Sequence, residues 1–376
     1  MTRQQENPLW RTLGEYTDQA PVPDQSTAVP QPPTVDAGRR AFMKFLGGSI
    51  AATSFIGCVR QPDEDIVPYV QSPEELVPGE PMFFATSMPF GGFGTGLLAE
   101  SHQGRPTKIE GNPEHPASLG ATTAQQQAAL LDLYDVDRSQ VVTYNEQISS
   151  YPNFRNELRR QVARLQERDG QGLHVLAESS TSPTLKRLYQ QLREIFPDLK
   201  WHVHDPLSTS QFRAGIQLAY GKDVRPVYDF SRPDVILSID ADFLADGPGN
   251  LRYARQFSQR RNVVGRDAAG GRINRLYAIE CTPTLTGAAA DHRWGLRPSE
   301  VPSFMRALMQ ALKIPGVQNV PEQAPLDPQL VNAIADDLRG PNGEPTPGRA
   351  LVVVRETQPA EVHAMAQAVH DTLGAR

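Results

Sequence analysis

Cysteine is scarce in this chain of 376 residues: only Cys58 and Cys281 occur. Two thiols cannot by themselves hold an iron–sulfur cluster or a cysteine-rich zinc centre, each of which takes about four ligands. They could pair in a disulfide, but Cys58 sits where a different chemistry fits better. Dense positive charge is missing too. No block of five or more basic residues occurs, the net charge is −6 and the pI is about 5.8. That balance argues against a nucleic-acid partner. Apolar residues make up 39%, below the usual globular range, while proline is abundant at 33 residues. A chain of this length builds about two or three domains, and this composition predicts long loops around them.

The first 58 residues stand apart. Residues 20–36, APVPDQSTAVPQPPTVD, carry five prolines and little that is apolar, so this linker buries too little surface to fold. Ahead of it PLWRTLGEY has the makings of one or two helical turns that dock through Trp10 and Leu13. The stretch GRRAFMKFLGGSIAATSFIGC follows at residues 38–58. Its uncharged run, Phe45 to Val59, spans about 22 Å as a helix, short of a hydrocarbon core of about 30 Å. Gly47, Gly48, Ser49, Thr53 and Ser54 dilute it further. A charged start, a moderate apolar region and small residues fit an export signal. Arg39, Arg40, Phe42 and Lys44 resemble the twin-arginine pattern, which exports folded proteins. The end, Phe55-Ile56-Gly57-Cys58, resembles a lipobox and makes Cys58 the candidate lipid-attachment residue. A buried amphipathic helix is the competing account.

After residue 58 the chain reads as two further parts. Residues 59–150 begin with a proline-punctuated extended stretch, QPDEDIVPYVQSPEELVPGEP. A strand MFFATSMP, a glycine-rich turn GGFGTG and a hairpin turning at Gln103-Gly104 come next. GGFGTG lacks the spacing and the following helix of a dinucleotide fingerprint. Over residues 151–376 short apolar strands alternate with helical patterns. NFRNELRRQVARLQER places Phe154, Leu158, Val162 and Leu165 on one face. Ser182 and Pro183 open a second helix and Gly221 closes a third. DVILSID, RLYAIE and RALVVVRE are strands, each with a helix after it. The predicted fold is α/β, doubly wound with mostly parallel sheets, behind an N-terminal antiparallel hairpin region. The chain stops directly after a helix, which reads as the N-terminal part of something longer.

ESHQGRPTKIEGNPEHPASLG, with LYDVDRSQV shortly after, resembles the N-terminal hairpin of the molybdopterin oxidoreductases. DVILSIDADFL and ECTPTLTGAAADHRWGLRPSE are similar to that family's Rossmann-type strand ends. Many members frame the hairpin with four cysteines that hold a [4Fe–4S] cluster. The matching positions here are Met88, Gly91, Thr95 and Thr123, none of which supplies a thiolate. The LWR segment, the long linker, the delayed twin-arginine region and the IVPYV stretch resemble one group more closely. That group is the molybdoenzyme-like iron–sulfur subunit of alternative complex III, a bacterial quinol-oxidising membrane complex.

The resemblance implies a molybdoenzyme-type domain without its cofactor or catalysis, on the periplasmic face of the membrane. It implies that [4Fe–4S] and [3Fe–4S] clusters belong to a C-terminal part or a partner, and that molybdopterin is not held. The implied partners are a multihaem cytochrome c, quinol-oxidising integral membrane subunits and the membrane surface. The rival reading is a fragment of an active molybdopterin oxidoreductase that lacks only the N-terminal cluster. A lipid-anchored binding protein for a small ligand is a third.

Other constellations are weaker. His202 and His204 alternate on a strand, which is metal-like spacing without a third ligand. Asp240, Asp242 and Asp246 crowd a strand end, where α/β sheets bind ligands, although a solvated loop is the simpler account. Ser208 and Ser210 occupy the loop where a molybdenum ligand would be sought. Asp291-His292-Arg293 has no activated nucleophile beside it. His363 and His370, two turns apart on a helix, read as structural. No residue qualifies as catalytic, cofactor-binding or metal-ligating.

Overall fold

A computed structural model describes residues 76–375 except 78, 263–272, 319–323, 341–342 and 344. Arg39, Arg40, Phe42, Lys44 and Cys58 lie outside the described residues.

The described chain opens with an antiparallel meander, β1 (Met82–Phe90), β2 (Phe93–His102) and β3 (Arg105–Gly111). Gly91 and Gly92 make the first turn with φ of 56° and 83°, closing the pair Phe90 and Phe93. Gln103 and Gly104 make the second with φ of 51° and 82°. Two-residue turns with both residues left-handed match the right-handed twist of the strands they join. The glycine-rich stretch is therefore mostly strand rather than turn. Gly94 and Gly96 lie inside β2, and a Cβ at Gly96 would sit 2.7 Å from the His115 ring.

A short helix α1 (Ala124–Ala128) follows, its N-cap Thr123 closing a capping box with Gln126. The small hairpin β4 (Thr143–Tyr144) and β5 (Gln147–Ile148) precedes α2 (Tyr151–Gln166). β6 (His174–Ala177) and β7 (Lys200–Val203) then pair in parallel, linked by α3 (Pro183–Ile195). Ser182 caps α3 through the Leu185 N–H, and Pro183 takes the first position, where its missing N–H costs nothing. α4 (Ser210–Tyr220) ends on Gly221 at φ 65°.

The densest packing surrounds a four-stranded parallel sheet. Its strands are β8 (Val235–Ile239), β9 (Arg275–Glu280), β10 (His292–Gly295) and β11 (Ala350–Val354), in spatial order β10-β9-β8-β11. β8, β9 and β11 are buried at every position, as expected of parallel strands covered on both faces. Alternate residues serve opposite faces. Val235, Leu237, Ile239, Tyr277 and Ile279 meet α7 (Val301–Ala311), α8 (Pro328–Arg339) and α9 (Ala360–Leu373). Ile236, Leu276, Leu351 and Val353 meet Phe230, Phe243 and Phe257, the last carried by α5 (Asn250–Arg261). A one-turn helix α6 (Leu285–Ala288) sits between β9 and β10. The fold is thus mixed α/β, with a four-stranded parallel sheet under helices on both faces, preceded by an antiparallel meander and two two-stranded pairs.

Candidate functional site

From β8 the order runs to β9 and β10 on one side and to β11 on the other. The sheet therefore switches direction between β8 and β11, and ligands of open α/β sheets bind outside the strand ends at such a point. Asp240, directly after β8, occupies it, buried and left-handed at φ 53°. Aspartate tolerates that conformation because its short polar side chain finds local partners. Here one carboxylate oxygen accepts the Cys281 N–H at 3.1 Å and the other accepts Gln358 Nε2 at 3.1 Å. Each oxygen thus ties one strand end, of β9 or β11, to β8.

The neighbouring carboxylates are also engaged. Asp242 Oδ1 accepts the Thr286 N–H at 2.9 Å and the Thr286 hydroxyl at 2.8 Å. Glu280 accepts the Thr284 hydroxyl at 2.6 Å and pairs with Arg293. α6 lies so close to Glu280 that a Cβ at Gly287 would stand 2.0 Å from Oε1. Asp246 is exposed and accepts from its neighbour Gly247 N–H at 2.7 Å. The three aspartates read together in the sequence thus divide into two structural acceptors and one solvated residue. Burial, with Asp240 beside it, pushes the Cys281 thiol up to about 11, so it is protonated and a poor nucleophile or ligand. Burial also raises the Glu356 carboxyl, against the pull of Arg225 at 2.9 Å. Arg225 in turn lies 4.3 Å over the Phe93 ring, which joins β2 to this end of the parallel sheet.

Two polar atoms at the switch point lack a hydrogen bond among the described residues: Gln358 Oε1 and His363 Nε2, both buried. Such atoms are normally satisfied by protein or by ordered water. Burial lowers His363 to about 4, and its ring packs edge-on against Phe212 with centroids 5.3 Å apart.

The remaining candidates scatter. His370 Nε2 accepts the Val352 N–H at 2.9 Å. Its proton therefore sits on Nδ1, facing Gln367 Oε1, which also accepts from Tyr220 OH at 3.0 Å. His202 meets His174 rather than His204, with ring nitrogens 2.9 Å apart on adjoining strands. That cross-strand partner is invisible to spacing along one strand. Asp291 ties to Arg261 and to the Leu276 N–H at 2.7 Å, His292 stacks on Tyr277 at 5.0 Å, and Arg293 holds Glu280. The three neighbours in sequence thus engage different parts of the sheet. Ser208 Oγ accepts the Ser210 N–H at 3.2 Å, a turn ahead of α4.

Of the four cluster positions, Met88 and Thr95 stand opposite each other across β1 and β2, with Gly91 in the turn between them. Thr123 caps α1. The hairpin geometry gathers three of the four, but the donor set of a thioether, a hydroxyl and no side chain cannot ligate iron–sulfur. No group of three or more His, Cys, Asp or Glu is placed to hold a metal among the described residues. Sequence patterning also passes over the buried trio Arg275, Tyr277 and Asp337, in which Asp337 accepts from both partners.

No family model matches the chain, and no curated protein does. Among solved structures, the acetylene hydratase from Pelobacter acetylenicus is similar at a TM-score of 0.48 and 13% identity. The match covers 77% of this chain and 41% of that one, so the chain spans about two fifths of that protein's length. Nothing of that protein's activity transfers at this level of likeness.

Proposed function

We propose that this chain is a structural, cofactor-free domain of molybdoenzyme type within a membrane-bound quinol-oxidising electron-transfer complex, of the alternative complex III kind. The observation that carries the cofactor-free part is Asp240. Each of its oxygens already accepts a bond from within the sheet, from the Cys281 N–H and from Gln358 Nε2, so the buried residue at the switch point is held as a structural acceptor. The donor set at Met88, Gly91, Thr95 and Thr123 supports the same reading. In this account clusters sit in a C-terminal part or in a partner. The exported chain lies on the periplasmic face, beside a multihaem cytochrome c and integral membrane subunits.

One observation favours a second reading, a fragment of an active molybdopterin oxidoreductase. The buried, unpartnered Gln358 Oε1 and His363 Nε2 are where a ligand's polar groups would bind. Ordered water meets the same need.

The experiment is genetic and kinetic. Membranes lacking this chain lose quinol oxidation, and the full chain restores it, as do its Ser208→Ala, Ser210→Ala and Cys281→Ser forms. Undiminished quinol oxidation without the chain would overturn the assignment to the complex. Loss of activity in the serine or cysteine variants would overturn the structural role.

A further inference from the structure

Among the described residues, α2 is a helix whose apolar stripe is left largely uncovered over its first half. Tyr151, Phe154, Leu158, Val162 and Leu165 recur at three- and four-residue intervals and fall on one arc of the helix. No residue of α2 is buried. Tyr151 is 62% exposed, and Phe154 and Leu158 are each 50% exposed, while Val162 and Leu165 are half-buried. Tyr151 and Phe154 lie side by side with ring centroids 6.0 Å apart. The remainder of the surface is basic. Four arginines, Arg155, Arg159, Arg160 and Arg164, face one glutamate, Glu157, which pairs with Arg160 at 2.6 Å and accepts from Gln161 at 2.8 Å. A strongly cationic helix therefore projects from a chain whose net charge is −6.

From this we infer that α2 lies on an anionic lipid surface, its apolar stripe at the headgroup–acyl boundary. Interfacial helices have this pattern: low overall hydrophobicity, a narrow stripe carrying aromatic residues and leucine, and arginines on the polar side. At 100° per residue Arg155 and Arg159 border one margin of the stripe and Arg164 lies beyond the other. Their aliphatic stems can follow the boundary while the guanidinium groups reach phosphates. Tyr151, at the start of the stripe, is a residue type enriched at that depth. Four arginines against one glutamate on the helix match the negative charge of an anionic lipid surface, and a protein partner on the same stripe is the alternative that the test separates. The contact is separate from residues 38–58 and does not depend on their acting as a signal or carrying a lipid.

The test uses the full chain and sedimentation with vesicles. One set is phosphatidylcholine alone and the other contains about 30% phosphatidylglycerol. The chain binds the anionic vesicles, and about 0.5 M salt weakens that binding. The double substitution Phe154→Ser and Leu158→Ser leaves residues 38–58 intact and lowers partitioning by roughly tenfold. Arg159→Gln with Arg164→Gln lowers it on anionic vesicles. Leu218→Ser, at a position 70% exposed on α4, leaves it unchanged. Matching circular dichroism and thermal melts show that the variants fold. Equal binding by the Phe154/Leu158 variant, or binding indifferent to phosphatidylglycerol, would overturn the inference. So would a wild-type oligomer in analytical ultracentrifugation that the same substitutions dissolve.

Discussion

Gly287 and Glu280 show how little room the strand ends leave. Gly287→Ala sets a methyl 2.0 Å from a buried carboxylate oxygen held by Thr284 and Arg293. We expect a loss of about 1–3 kcal/mol, the usual cost of overpacking. Gly295→Ala, where nothing lies within 4 Å, is the control and costs little. Paired denaturation curves read both. His363 and His370 make a second test. Burial lowers each from 6.5 to about 4. Above pH 6.5 both are neutral whether folded or unfolded, so they add no pH dependence there. Between 6.5 and 4 the unfolded chain takes up protons that the folded chain refuses, so stability falls as pH falls through that window, and below it the loss is complete. Each residue contributes a loss of up to about 3 kcal/mol. His370→Gln reduces the slope of stability against pH there by about 1.4 kcal/mol per pH unit, measured by urea unfolding at several pH values.

Arg275 on β9 and Asp337 on α8 pair inside the protein, with Tyr277 donating to the same carboxylate. Asp337→Ala removes the carboxylate that a buried guanidinium and the Tyr277 hydroxyl share and lowers stability by about 3–5 kcal/mol, whereas replacing Arg275 and Asp337 together with leucine and methionine restores most of it. Chemical denaturation of both variants distinguishes these outcomes. Elements with their own punctuation were legible in the sequence. α3 starts at the Ser182-Pro183 pair, α4 stops at Gly221, and the alternation of RLYAIE and RALVVVRE with helices gives buried parallel strands. Other elements were not. α8 starts from Asp327 and Pro328 inside a stretch whose prolines hide its periodicity, and β4, β5 and β10 are too short to show a period. The site divides in the same way. Asp240 stood out because it ends an apolar strand, but its partners Gln358 and the Cys281 N–H are 118 and 41 residues away. Only the fold brings them together.

Packing is uneven over the molecule. β8, β9 and β11 are buried throughout, while α2, α3, β6 and β7 contain no buried residue, and Leu176 and Val203 are 74% and 56% exposed. A two-stranded parallel sheet with so little cover opens easily. Hydrogen exchange on the isolated chain is therefore slowest in residues 235–239, 275–280 and 350–354 and fast in residues 151–166, 174–177 and 200–203. In the proposed account this close-packed sheet, whose strand-end carboxylates accept from donors of neighbouring strand ends, belongs to a domain that supports neighbouring subunits. The content of molybdenum and guanine nucleotide per mole of the chain, purified under native conditions, tests this most directly. The account predicts neither above background. Molybdenum and nucleotide each approaching one per chain or more would contradict it.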